Sequence, residues 1–119
     1  MKRGEIWTST SSVDYGSKPR PVVIIQDDRF NEIDSITICP LTSDPVSAPY
    51  FRLPLMPTDK NGLLHPCRLM VDKITTVPRA KLRSHIGRLN DEDMVRLNRT
   101  IMVFLGIAGM MTEEDVLDD

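Results

Sequence analysis

The feature that most constrains the fold is the position of the only clear helical pattern, which comes at the end, after about 90 residues of short β-type segments. Turn-forming residues such as Gly, Pro, Asn, Asp and Ser separate these segments. The segments are residues 5–8, 22–26, 35–42, 51–53, 68–72, 74–77 and 86–89. This order predicts a mainly β protein with one C-terminal helix.

Hydrophobic patterning distinguishes the predicted strands from one another. Residues 22–25 are a continuous apolar run, which is typical of a strand buried on both faces. Residues 35–42 alternate instead, which predicts that Ile36, Ile38 and Leu41 point inward. Residues 51–53 lie within a proline-dense stretch and are expected to form an edge strand among long loops. The apolar segments at 68–77 are expected to form one bent strand or two short ones.

The C-terminal segment carries the signals of a helix. Asn90 is a good N-cap, and residues 91–93 place three acids where the helix dipole favours them. Apolar residues then recur at intervals of three and four, at Met94, Leu97, Ile101, Phe104 and Leu105. Gly106 or Gly109 is expected to end this helix, and Pro78 is expected to begin a shorter helical turn. The whole pattern predicts an α+β fold: a small, strongly bent sheet or SH3-like barrel with the helix packed against it.

Length and composition predict one domain. The chain has 119 residues, of which 40% are hydrophobic, and no apolar run is long enough to cross a bilayer. We expect residues 1–110 to form the domain, residues 111–119 to be a flexible acidic tail, and the protein to be cytoplasmic and homodimeric. Cys39 and Cys67 match no metal or redox spacing and are expected to be reduced thiols. His65 and His85 are far apart, so we expect no metal and no cofactor.

The charge distribution keeps a nucleic-acid ligand possible despite a net charge of −2. Five of the 17 acidic residues fall in the last seven positions, so residues 1–111 carry 15 basic and 12 acidic residues. The body of the chain is therefore mildly basic. The acidic tail is either solvated or able to compete with an anion for a basic cleft.

Arg20 is the candidate anion-binding residue. It lies between Pro19 and Pro21, which have no N–H to donate, and immediately before the buried strand. Its guanidinium has a permanent charge and a rigid fork of donors that matches phosphate oxygens. On this segment alone, a solvated arginine in a proline-rich turn remains the alternative.

Six ordered pieces of the sequence resemble a known family. They are residues 3–7, Gly16 with 19–24, 40–43, 61–63, 71–77 and 86–89. In this order they are similar to the PemK/MazF/Kid toxins of bacterial toxin–antitoxin modules, over about residues 2–109. The resemblance implies an SH3-like barrel dimer of the MazF/Kid/CcdB type. It also implies metal-independent cleavage of single-stranded RNA and inhibition by a cognate antitoxin that lays an acidic segment over the cleft.

The resemblance also implies roles for three residues. Arg20 matches the family's catalytic arginine, Thr42 matches the hydroxyl residue that ends the third strand, and Asp72 falls at an acidic position that some members use as a base. Met70 stands where some members have an arginine, and the first loop lacks the histidine that others carry. From the residues alone, Thr42 could instead bond to backbone at a strand end, and Asp72 could pair with Lys73 or Arg68.

RNA carries its own nucleophile, the 2′-hydroxyl, so the protein need only orient it, neutralise the phosphate and handle protons. His65 is a further candidate proton carrier, although an exposed loop histidine is the plainer interpretation. Residues expected to contact RNA are Lys18, Gln26, Ser43, Arg68, Lys73, Arg79 and Lys81. Tyr15 and Tyr50 are the candidate platforms for base stacking.

Two other functions remain open. A toxin with the same fold that poisons DNA gyrase acts through the end of its C-terminal helix, typically Trp-Gly-Ile, whereas this sequence ends Val-Leu-Asp-Asp. A non-catalytic SH3-like RNA-binding module would need no groups that handle protons.

Overall fold

The structure is a computed structural model that describes residues 1–10, 19–45 and 51–107. Its seven strands are β1 Glu5–Ser9, β2 Arg20–Ile24, β3 Ser35–Thr42, β4 Arg52–Leu55, β5 Cys67–Met70, β6 Thr75–Pro78 and β7 Leu82–Arg88. Short 3-10 turns lie at Asp28–Phe30, Val71–Lys73 and Arg79–Lys81, and helix α1 spans Asp91–Phe104. The predictions for Lys18, Tyr15, Tyr50, Gly109 and the acidic tail lie outside the described residues.

All strand pairs in this part of the chain are antiparallel, in the order β4-β5-β3-β2-β1-β7, and β6 also pairs with β3. The mainly β fold with one C-terminal helix is therefore confirmed. Strand β3 is the centre of the sheet, because its first half pairs with β6, its last two residues pair with β5, and its other edge pairs with β2. One long strand thus belongs to two diverging ladders, and the sheet bends around it.

Strand β3 is buried on both faces. Ile36 and Ile38 belong to one core cluster, whereas Cys39 and Leu41 belong to another, as their odd and even positions require. The expectation that Ile36, Ile38 and Leu41 share one inward face is therefore wrong, although all three side chains are buried. A second layer covers the face where the sequence pattern suggested solvent.

Helix α1 packs against the cluster that contains Leu41. Asn90 caps it, since its Oδ1 accepts a hydrogen bond of 2.7 Å from the N–H of Asp93. Leu97 is fully buried, while Phe104 and Leu105 are largely exposed. Gly106 follows the helix with φ +80°, a left-handed conformation that suits glycine, so the predicted stop at this residue is confirmed.

Two local predictions need correction. Pro78 is the last residue of β6, and the helical turn begins at Arg79. Strand β7 begins at Leu82 instead of Ile86, because its bulged pairing with β1 extends to Ser9. The segment at 68–77 forms two strands, β5 and β6, and Pro54 lies in β4 at the edge of the sheet, where a missing N–H costs little. No helix in the described ranges is long and apolar enough to cross a membrane.

Candidate active site

The register of β2 and β3 brings the two main sequence candidates together. Val22 pairs with Pro40 and Ile24 pairs with Ile38, so Arg20 and Thr42 each lie two residues beyond the last pair of this ladder, at the same end of it. Arg20 is the first residue of β2 and Thr42 is the last of β3, so both lie at the rim of the sheet.

A cavity of about 450 Å³ opens at this rim. Its lining comes from five strands, from the loop before β5 and from residues that flank β2 and β3: Thr8, Pro19, Arg20, Pro21, Leu41, Thr42, Ser43, Gly62, Leu63, Leu64, His65, Cys67 and Ile86. This described lining contains no Asp or Glu, and none of the ion pairs among the described residues involves Arg20. The arginine is exposed, so its charge is available to an anion in the cavity.

Thr42 keeps a free donor in this arrangement. Its Oγ1 accepts a hydrogen bond of 3.2 Å from the N–H of Asp44, which is the strand-end backbone contact that the sequence also allowed. Because the hydroxyl oxygen accepts in that contact, its hydrogen can still be donated to a ligand. The backbone contact orients the hydroxyl and does not compete with a binding role.

The loop that forms the opposite wall is held by Asn61. This residue is buried, and its Oδ1 accepts hydrogen bonds from the N–H groups of Thr58 at 2.9 Å and Leu63 at 3.0 Å. Its Nδ2 donates to the carbonyl of Met56 at 2.8 Å. Gly62 follows with φ +68°, and a Cβ built on it would overlap the backbone carbonyl of Ile86 in β7. The Asn-Gly pair therefore fixes this loop closely against the sheet.

Asp72 lies outside this cavity. Its carboxylate forms a bidentate pair with Arg52, at 2.6 Å from Nε and 2.9 Å from Nη2, and both side chains are mostly buried. The partner is thus neither Lys73 nor Arg68, because the backbone path of β4 beside β5 brings a residue 20 positions away into contact. The hydrogen bonds from Arg52 lower the pKa of Asp72. A carboxylate so stabilised in its charged form is a weak proton acceptor.

We expect Asp72→Asn to lower the free energy of unfolding by about 1–3 kcal/mol at pH 7, since Arg52 would lose its charged partner. A lowered pKa in the folded state means that the pair contributes stability above the unfolded pKa, near pH 4, and that this contribution is lost as the pH falls further. Urea titrations should therefore show that the free energies of unfolding of variant and wild type differ less at pH 3 than at pH 7.

The exposed pair of Asp27 and Arg29 supplies the control. Asp27→Asn keeps a side-chain acceptor for the N–H of Arg29 and should leave the free energy of unfolding almost unchanged at either pH. The assigned role of the pair with Arg52 would be contradicted if Asp72→Asn were as stable as wild type at pH 7. It would also be contradicted if the difference in the free energy of unfolding were the same at pH 3 as at pH 7.

The remaining residues expected to contact RNA are divided between the rim and the rest of the surface. Ser43 lines the cavity, and Arg68 lines a smaller adjoining one of about 170 Å³ that shares Thr42, Ser43 and Cys67 with it. Arg68 pairs with Thr42 in the β3–β5 ladder, which explains its position. The structure therefore extends the candidate site from Arg20 toward Arg68.

Four other residues that were predicted to contact RNA either form hydrogen bonds within the protein or do not line the cavities at the rim. Gln26 donates to the carbonyl of Phe30 and accepts from the N–H of Thr37. Arg79 donates to the carbonyl of Ile33 at 2.6 Å. Lys73 and Lys81 end two of the 3-10 turns and do not line either of the two cavities at the rim.

Sequence reasoning left His65 and Cys67 out of the chosen site, and both line the cavity. Burial raises the pKa of the Cys67 thiol, whose Sγ lies 3.3 Å from the carbonyl of His65. The Leu-His-Pro-Cys segment has no local pattern that reveals this position, because only the fold brings it into the cavity that contains Arg20. Among the described residues, no group of three or more His, Cys, Asp or Glu could hold a metal ion.

A larger cavity of about 780 Å³ lies where β7 meets the start of α1. Lys60 and Arg88 line it, but so do Asp91 and Glu92, so its charges oppose one another. The cavity that contains Arg20 is the better candidate anion site because its described lining has no carboxylate, and Asp44 lines only the smaller adjoining cavity.

The bent sheet, the C-terminal helix and the cleft at the strand ends define a small SH3-like protein with a candidate anion-binding site. Residues 2–105 match the family described as PemK-like, MazF-like toxins of type II toxin–antitoxin systems, and the chain belongs to this family. It is 50% identical over 109 residues to a probable endoribonuclease MazF of Mycolicibacterium smegmatis, which covers 92% of this chain and all of that protein.

Solved structures have the same fold. The chain superposes on the Mycobacterium tuberculosis toxin MazF-mt6 with a TM-score of 0.73 at 22% identity, covering 87% of this chain and 97% of that one. An endoribonuclease in complex with its cognate antitoxin, from a mycobacterial species, matches with a TM-score of 0.71 at 20% identity, covering 90% of this chain and 94% of that one. At these identities the match establishes the fold alone.

Proposed function

We propose that this chain is a MazF-like endoribonuclease toxin that cleaves single-stranded RNA, with Arg20 and Thr42 holding the scissile phosphate. The observation that supports the proposal is that Arg20 and Thr42, at the ends of neighbouring strands, both line one cavity whose described lining has no carboxylate. Membership of the toxin family and 50% identity to a probable endoribonuclease support the same reaction.

In this reaction the 2′-hydroxyl of the RNA attacks the neighbouring phosphorus, and the bond from phosphorus to O5′ breaks. The products are a 2′,3′-cyclic phosphate and a 5′-hydroxyl, and the attacking group requires no metal for its activation. Arg20 donates to the non-bridging oxygens, where negative charge grows in the transition state, and Thr42 donates its hydroxyl hydrogen to the same group. In this proposal both donors are held at the cavity before the reaction, so the protein reorganises little as negative charge grows on the phosphate.

The adjoining small cavity extends the path of the RNA. Ser43 and Arg68 continue from Thr42 along the rim, and a strand whose phosphate lies at Arg20 would pass over them. We propose that Arg68 neutralises an adjacent phosphate, as basic grooves do in other proteins that bind single strands. Asp72 is proposed to act indirectly, by holding Arg52 beside β5, because its carboxylate is engaged there.

The proposed partners follow from the same cleft. A cognate antitoxin with an acidic segment would fit a basic cavity and block access of RNA, and one solved relative is described as bound to its cognate antitoxin. A homodimer would supplement a core that is small for an independent domain. We propose that the protein acts in the cytoplasm, where mRNA is available.

The proposed activity is tested by incubating the purified protein with a long RNA in the presence of a chelator. We expect discrete fragments with 5′-hydroxyl ends, detected by labelling with polynucleotide kinase without prior phosphatase treatment. RNA that is bound but remains intact would instead support a binding module. Inhibition of gyrase without any loss of RNA would support the gyrase-poisoning alternative.

A further inference from the structure

Cleavage of RNA needs a proton for the departing O5′, and the cavity contains one well-suited donor. Its titratable groups, within the described lining, are Arg20, His65 and Cys67. Arginine remains protonated in proteins, and burial raises the pKa of the Cys67 thiol, so both hold their protons too firmly to exchange them readily near neutral pH. Asp72 is engaged by Arg52 outside the cavity. Histidine, by contrast, is the side-chain type that both gains and loses a proton near neutral pH.

The backbone around His65 is held at both ends. On one side Leu63 is buried and its N–H donates to Asn61, and on the other side the Cys67 thiol lies against the carbonyl of His65 itself. His65 is exposed and lines the cavity, and no hydrogen bond among the described residues engages its ring. A loop residue fixed by a rigid scaffold but with an unoccupied functional group is a common arrangement at catalytic sites.

The other histidine of the chain is arranged differently. His85 stacks on Trp7 with ring centroids 5.3 Å apart, and its Nε2 lies 3.0 Å from the carbonyl of Gly87. It lines the larger cavity beside α1 and is absent from the described lining of the cleft that contains Arg20. His85 is therefore a matched control for His65.

We propose that His65 is the general acid of this site. As the bond from phosphorus to O5′ breaks, the imidazolium of His65 transfers its proton to O5′, which leaves as the 5′-hydroxyl, and the neutral imidazole regains a proton from water. The proton of the attacking 2′-hydroxyl passes to hydroxide in solvent, so charges and atoms balance. This assignment rests on the proposed ribonuclease function, with Arg20 stabilising the phosphorane-like charge on the opposite wall.

The test compares two substrates that differ only in the leaving atom. One is an RNA oligonucleotide containing a site that the wild-type protein cuts, and the other has sulfur in place of O5′ at that site. A thiolate leaves without protonation, so the sulfur substrate does not need a general acid. We expect His65→Gln to slow cleavage of the oxygen substrate by about 10²–10⁴-fold, the usual contribution of a general acid or base, and to slow the sulfur substrate by less than about threefold.

Four further measurements make the result specific. His85→Gln should cleave both substrates at close to the wild-type rate, and Arg20→Ala should slow both. Affinity for an oligonucleotide with a 2′-deoxy residue at the cut site should be the same for His65→Gln as for wild type. His65→Ala, assayed with added imidazole, should recover part of the lost rate on the oxygen substrate.

Equal losses on the two substrates, or no loss on either, would overturn the role of His65 while leaving the ribonuclease function intact. A wild-type protein that cuts no site in a long RNA, so that no such oligonucleotide can be chosen, would overturn the proposed function itself, and the role of His65 with it.

Discussion

Arg20→Ala should slow RNA cleavage by about 10²–10³-fold, which corresponds to about 2.7–4 kcal/mol of lost transition-state stabilisation. The side chain is the only arginine or lysine in the described lining of the cleft, and no carboxylate there offsets its charge. Arg20 is exposed at the end of β2, so its loss should leave the melting temperature almost unchanged. Single-turnover rates with saturating protein measure the chemical step apart from binding.

Two variants separate charge from geometry at this position. Arg20→Lys keeps a positive charge but loses the planar fork, so it should recover only part of the rate. Thr42→Val keeps the shape of the side chain and removes the hydroxyl donor, and we expect a smaller loss than for Arg20→Ala because a neutral donor is removed. Arg29→Ala, which removes an exposed arginine paired with Asp27, is the control for total charge. Cleavage by Arg20→Ala within about threefold of wild type would exclude the phosphate-binding role.

Gly62→Ala is expected to destabilise the fold by about 2–5 kcal/mol and to reduce cleavage in the molecules that remain folded. The residue has φ +68°, where an alanine costs about 1–2 kcal/mol, and its Cβ would also overlap the carbonyl of Ile86. Relief of that overlap requires the loop to move away from β7, and the same loop carries Leu63 and His65 into the cavity. Denaturant titration measures the first effect, and cleavage assays well below the midpoint measure the second.

Gly106→Ala is the matched control. Gly106 also has a positive φ, of +80°, but a Cβ built there meets nothing within 4 Å among the described atoms. This variant should therefore lose only the conformational term, about 1–2 kcal/mol, and should cleave RNA normally. If Gly62→Ala were no more damaging than Gly106→Ala, close contact with β7 would not be what positions the loop.

Local signals were sufficient for much of the fold. The buried strand at 22–25 and the alternating strand at 35–42 were recognisable because a strand places successive side chains on opposite faces. The helix was recognisable from Asn90, its first-turn acids and Gly106, because helix ends are decided by neighbouring residues. Interactions between residues a few positions apart can therefore be predicted from the sequence alone.

Contacts across long stretches of sequence were harder to predict. The sequence offered Lys73 and Arg68 as partners for Asp72 because they are its neighbours, whereas the structure pairs it with Arg52 on an adjacent strand. For His65 the sequence left two interpretations, a proton carrier or an exposed loop residue, and only the anchoring of its loop by Asn61 and Gly62 shows that it lines the cleft. The distribution of β3 between two core clusters depended on the second layer that covers its outer face.

By itself, the sequence determined that this protein is a mainly β domain with a C-terminal helix, that it resembles the MazF-like toxins, and that Arg20 and Thr42 are its leading site candidates. Only the tertiary structure brought those two residues to one cavity, together with His65, and placed Asp72 outside it. The physical reason is that strand propensity and capping are local properties. The composition of a cleft depends instead on strand register and loop anchoring, which join residues that lie far apart along the chain.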